Sequence, residues 1–285
     1  MKRIIITFIA AMLCLTAWGQ AQINTKSVKI SDFTQKTTKI VLTGNSFFDA
    51  SLKDEITAVW SISPYEFCTL EEFETLKTDD RFYFLLSTKG KFKNEKEAGL
   101  QFFTLVKGGK DAEKGINKML EIVSLPFAAA DNPSGREHIF LRAFLNIIQK
   151  FTLDAMDKDI NAYGGLGYYN IDIFKTEKMG IVFSKDDLSD KITDEIKSGF
   201  DKDIIVVSED DADSFISDGI EGILLSYVVY PSEPGPGAYC YKMLIDSGSH
   251  RLYYFKKHRL TKNQGPGFLP KDIRVITAKR AKEVK

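Results

Sequence analysis

The chain predicts an α/β (α+β) fold: two repeated β-α-β-α-β-β modules with mixed sheets, joined by a helical insert. Three observations predict it. Residues 52–60 and 192–200 read as copies of each other, sharing Asp54-Glu55-Ile56 and Asp194-Glu195-Ile196. Each copy follows a short apolar run, residues 40–42 in one case and 181–183 in the other. Each precedes a second strand-like run and then a helix-start signal. Repetition of this kind makes each assignment twice. A strand, a helix and a second strand in that order form a crossover with a parallel pair. Helices packed mainly on one face of a mixed sheet are the simplest architecture that results.

In module one, residues 39–42 form the first strand and 43–46 a turn. The helix that follows carries Leu52, Ile56, Val59 and Trp60 on one stripe, and Pro64 stops it. Residues 65–68 alternate as a strand. Thr69 and Glu72 make a capping box, in which threonine takes one orphan N–H and glutamate reaches back for another. That short helix carries Phe73 and Leu76. Strands are expected at 82–86 and 100–106, with the charged connection 89–97 as an exposed hairpin tip.

Module two repeats the order. Residues 180–183 are the first strand, and Ser184 begins a helix with Leu188, Ile192, Ile196 and Phe200 on one face. Residues 203–207 are the second strand. Ser208 starts a helix carrying Phe215, the counterpart of the Thr69 box. Strands follow at 223–230, 239–245 and 252–255, the last two joined by the turn 246–249. Residues 273–276 are read as an edge strand.

The insert has no second copy. Residues 111–124 are expected to be helical, with Ile116, Met119, Leu120 and Val123 on one stripe. Pro126 breaks this helix. Ser134 to Glu137 forms another capping box, before a helix carrying a wide stripe from Ile139 to Phe151 that must be covered. The expected domains are therefore 1–19, 20–110, 111–160, a linker at 161–170, and 171–285.

The first nineteen residues read as a secretory signal. Lys2 and Arg3 form a positive end, residues 4–15 are apolar, and Ala17-Trp18-Gly19 supplies small residues for cleavage after Gly19, with Ala21 as the alternative. The apolar run is shorter than the roughly 20 residues that span a bilayer. Leu13 before Cys14 is too large for the lipoprotein peptidase. The mature chain is expected to be periplasmic or secreted, with no transmembrane segment.

The whole chain has 39 basic and 39 acidic residues. Removing Lys2 and Arg3 leaves 37 against 39, a net charge of −2. That balance favours neither nucleic acid nor an anionic membrane surface. Cys68 and Cys240 read as two buried small hydrophobes, a disulfide being the alternative in an oxidising compartment. With His138, His250 and His258 they show no metal-ligand spacing, so neither a metal nor a cofactor is expected.

Candidate chemistry is sparse. Lys107-Gly108-Gly109-Lys110 lies between a strand and an expected helix, where backbone N–H groups and two lysines can hold an anion; the plainer reading is a surface turn. Gly164, Gly165 and Gly167 follow a helix rather than a strand, and read as a flexible linker. Asp246, Ser249 and His250 contain acid, nucleophile and base, but in one tight hairpin whose neighbours point to opposite faces. His258 lies in a basic strand end, residues 256–259, that can contact an acidic partner or a phospholipid head group. A solvated strand end is the plainer reading. Candidate ligand or partner residues are thus Lys107, Lys110 and His258.

The module that runs from Lys39 to Leu86, repeated from Met179 to Val228 behind a signal peptide, resembles small α/β domains of periplasmic assembly proteins. The amino-terminal domain of TolB and the curli-secretion CsgG-type modules are examples. The resemblance rests on element order and covers about half of the chain. It implies interaction within envelope complexes rather than turnover, and it transfers no functional residue. The sequence therefore reads as an exported, non-enzymatic envelope protein with a protein partner. A hydrolase or a small-ligand binder, with its site in the cleft between modules, is the alternative.

Overall fold

The computed structural model describes residues 29–90, 98–176 and 178–280. The expected signal segment, Cys14 and most of the expected hairpin tip 89–97 lie outside the described residues. The fold is α/β, with two five-stranded mixed sheets of the same topology. Sheet one holds β1 (Thr37–Val41), β2 (Tyr65–Cys68), β3 (Phe82–Gly90), β4 (Leu100–Lys107) and β5 (Leu120–Ala129) in the order β2-β1-β3-β4-β5. Sheet two holds β6 (Gly180–Ser184), β7 (Ile204–Val207), β8 (Ile223–Val229), β9 (Tyr239–Asp246) and β10 (Leu252–Arg259) in the matching order β7-β6-β8-β9-β10. In each sheet the first strand pairs parallel with the second and third, and the rest is an antiparallel meander.

Helix α1 (Ser46–Val59) forms as its stripe requires. Asn45 caps it by accepting from the N–H groups of Phe47 and Phe48, and Leu52 and Ile56 are buried. Helix α2 (Leu70–Leu76) begins with the expected capping box of Thr69 and Glu72.

The stretch read as a helical insert is different. Residues 110–118 make two short 3-10 turns, and residues 120–129 are β5. The sheet supplies the reason. β5 pairs with all of β4 and is covered by a helix, so both faces are buried and the run is apolar without clean alternation. Pro126 lies within it because β5 is an edge strand, where a missing N–H leaves no ladder bond unmade, and the register shifts nearby.

After β5 come α3 (Arg136–Ile139) and α4 (Leu141–Asp157), the expected wide-striped helix. Helix α4 packs on α1 and β5, and Phe144 meets Tyr227 of sheet two. One buried cluster draws on both sheets and α4 together. The residues read as a linker are folded: α5 (Asp159–Gly164) leads into a 3-10 segment, Gly165–Thr176, that buries Leu166, Tyr169 and Ile173. Asn170 exchanges two hydrogen bonds with the backbone of Phe255, which covers the β10 edge.

Module two departs from the expected copy in its first crossover. In place of one long helix there is a 3-10 turn, Lys185–Asp187, a second turn closed by Ile192 N–H on the Ser189 carbonyl, and the short α6 (Asp194–Ser198). Leu188 bridges to Phe268 instead. Helix α7 (Glu209–Ser217) begins at Ser208, which caps it by accepting from Asp211 N–H. Residues 273–276, read as an edge strand, lie in helix α8 (Pro270–Arg280), which opens with a proline whose missing N–H would have had no partner there. Cys68 and Cys240 are free, buried thiols on different sheets, and burial pushes them up to about 11 and about 12. No helix among the described residues is long and apolar enough to cross a membrane.

Glu121 on β5 is nearly buried, and desolvation, only partly offset by the Ser124 hydroxyl, pushes it up to about 7. A carboxyl raised in the native state binds its proton more tightly folded than unfolded. Stability therefore falls as pH rises from about 4.3, the ordinary Glu value, through 7. Glu121→Gln is expected to stabilise the chain by about 2–3 kcal/mol at pH 8 and by little at pH 5. Denaturant titrations at both pH values check this, and an equal effect at the two would refute it.

Candidate functional site

In open α/β sheets, ligands sit outside the carboxyl ends of the parallel strands, where the strand order reverses. Here that point lies beside β1 in sheet one and β6 in sheet two. The two copies treat it differently. In sheet one the chain fills it: buried Asp49 of α1 accepts from Thr43 N–H at 2.8 Å, from its hydroxyl at 2.8 Å and from Gly44 N–H at 2.9 Å. In sheet two the first crossover holds no such long helix, and a cavity of about 280 Å³ opens there. Its lining comes from both modules, including Asn132, Ser134 and Arg136 from the first and Asp186, Glu209 and Tyr230 from the second.

The floor is a buried polar cluster centred on Arg136. Its Nε donates to both oxygens of Asp213, at 2.8 and 2.9 Å. Nη1 donates to Asp187 at 3.1 and 3.2 Å, and Nη2 to the carbonyl of Ser226 at 3.1 Å. The Ser226 hydroxyl donates to Asp187 at 2.6 Å and accepts from Ser184 N–H. The guanidinium also lies over the rings of Phe140 and Tyr227. Glu209 stands at the rim, 3.7 Å from Nε.

Local chemistry positions each group. Gly135 (φ 94°) turns the chain into α3, and Glu137 accepts from its N–H, so Arg136 projects across the module boundary. Glu209 and Asp213 are one helical turn apart on α7 and share a side. Asp187 is fixed through its backbone, whose carbonyl accepts from Phe268 N–H at 2.8 Å. Gly267 makes that approach possible: at φ 93°, a Cβ there would come within 2.6 Å of Ser189 N.

One cation serves two buried carboxylates and a third at the rim. Burial raises Asp213 to about 6, although Arg136 and its hydrogen bonds pull the other way. Glu209 is also raised, first by burial.

The residues singled out in the sequence do not meet here. Lys107 Nζ donates to both oxygens of Asp32, at 2.8 and 2.9 Å, and to the carbonyl of Lys29, so its charge is matched within module one. Lys110 is exposed at the start of a five-residue 3-10 turn, not an α-helix. His258 corrects the reading of a basic strand end. Lys257 and Arg259 point outward, but alternation turns His258 inward, where Nε2 lies 2.9 Å from Gly265 O and desolvation lowers its pKa. Asp246 accepts from the backbone and hydroxyl of Ser249, closing the hairpin, while His250 Nδ1 faces Asn146 of α4 at 2.9 Å. Acid, nucleophile and base do not converge. Among the described residues no group of three or more metal-ligating side chains stands where it could hold an ion.

Arg136, Asp187 and Asp213 went unnoticed in the sequence because each lay inside a stronger local signal. Arg136 belonged to an expected capping box, Asp213 to the helix that Ser208 starts, and Asp187 to an expected helix. Compared with protein-family models, curated proteins and solved structures, the chain matches none.

Proposed function

We propose that this chain is an exported, non-enzymatic envelope protein that acts by binding a protein partner, with the cleft between its two modules as the recognition site. The observation that carries the reading is the open cavity at the switch point of sheet two, built from both modules. The shared core and the Arg136 cluster hold its walls as one body, which suits recognition more than movement. The hydroxyl nearest the carboxylates, Ser226, is wholly buried and already bonded on both sides, which argues against its use as a nucleophile.

The test is site-specific photo-crosslinking of the tagged chain in the cells that export it. A photoreactive residue at Ser232, exposed in the cleft lining, is expected to capture one or two stoichiometric envelope proteins. The same residue at exposed Lys118 is expected not to capture them. No adduct above background from Ser232, or equal capture from both positions, would overturn the reading.

A further inference from the structure

We propose that the inter-module cavity takes an organic cation, an alkylammonium or guanidinium group, held by Asp186 and Glu209 above the Arg136 floor. This rests on the cleft being the recognition site and specifies its chemistry. Three independent features agree. First, the size fits: about 280 Å³ corresponds to about nine waters, enough for an arginine or lysine side chain with some backbone.

Second, the charge is one-sided. Arg136 already has all three nitrogens engaged, by Asp213, Asp187 and Ser226. Of the two carboxylates that line the cavity, Glu209 has only a share of Arg136, 3.7 Å from Nε, and Asp186 is exposed at the rim. Third, a cation from elsewhere is already seated on this part of module two. Arg136 belongs to module one, reaches across, and is received by two carboxylates, a carbonyl and the Tyr227 ring. The surface thus receives a guanidinium in cis, and the open space beside it is lined by two of the same kinds of residue, the carboxylates Asp186 and Glu209 and the aromatic Tyr230.

The cation can belong to a partner's side chain or to a free amine, and the experiment separates these. The mature chain is titrated by calorimetry with agmatine, with an acetylated and amidated Ala-Arg-Ala peptide, and with the same peptide carrying neutral citrulline. Saturable binding of the arginine peptide or agmatine is expected, weakened at least about tenfold by Asp186→Asn with Glu209→Gln and by citrulline. Binding of the peptide alone assigns the cation to a protein partner; binding of agmatine alone assigns it to a small molecule. Both support the proposal. No saturable binding of either at millimolar concentration, equal binding of the citrulline peptide, or no effect of the double substitution overturns it. Both substituted side chains lie at the exposed rim, and a thermal melt confirms that the variant is folded; if it is not, Asp186→Asn alone is used. Failure here together with capture from Ser232 would refute the cation and leave the partner reading intact.

Discussion

Asp272→Asn is expected to destabilise the chain by about 3–5 kcal/mol. Lys242 of β9 and Asp272 of α8 form an ion pair in which both side chains are wholly buried. The carboxylate also accepts from Tyr254 Oη at 3.0 Å and from Leu269 N–H at 3.0 Å, and Lys256 lies 3.3 Å away. Taking away the charge of Asp272 leaves the ammonium of Lys242 buried without a counter-charge, which is far worse than never having had the pair. The contrast is a double replacement, Lys242→Met with Asp272→Leu, which should recover most of the loss because apolar groups of similar size need no partner. Denaturant titrations of the three chains decide it. A loss under about 1 kcal/mol for Asp272→Asn would sink the argument.

The pair also sets an acid limit. Burial raises Asp272, but Lys242, the Leu269 N–H and the charge of Lys256 outweigh it and hold the carboxyl below the usual value, while desolvation pulls Lys242 down. A lowered carboxyl contributes stability that is fully present above its unfolded value of about 3.9 and is lost as pH falls through the lower folded value. The pair should therefore survive mild acid and fail only in strong acid.

Arg136→Met is expected to be as damaging at pH 7.5, by about 3–5 kcal/mol, because Asp187 and Asp213 would both lie buried without a cation. Its pH dependence has the opposite sign. With Arg136 present Asp213 already sits at about 6, and without it that carboxyl must rise further. The folded chain then takes up protons relative to the unfolded chain as pH falls, so the deficit should shrink between pH 7.5 and 5. Arg136→Lys keeps the charge but not the planar fork that serves three acceptors at once, and should fall between the two. Unfolding titrations at both pH values are the check. A deficit independent of pH would mean that lost packing on Phe140 and Tyr227, not charge, is what the variant reports.

Reading elements from the sequence worked where a local rule dominates. The Thr69 box, the Ser208 cap, the stripe of α1 and the hairpin turn at 246–249 each depend on residues within a few positions of one another. It failed where a distant partner decides. Residues 111–124 carry a helical stripe, yet β4 offered an open edge, and the ladder won. Residues 184–200 repeat the apolar spacing of α1, yet the loop at Gly267 and Phe268 takes Leu188 into a bridge and leaves only α6 helical. His258 looked like part of a basic run until alternation placed it inside.

The sequence alone determined the duplicated α/β plan, the parallel-then-antiparallel order of strands, and the caps at Thr69 and Ser208. These follow from periodicity and capping, which act over a few residues. Only the tertiary structure decided the fifth strand of sheet one, the shared core, and the site itself. Arg136 lies 51 residues from Asp187 and 77 from Asp213 along the chain. A buried charge cluster leaves no local pattern, because what makes it stable is the exclusion of water by elements that meet only when the chain folds.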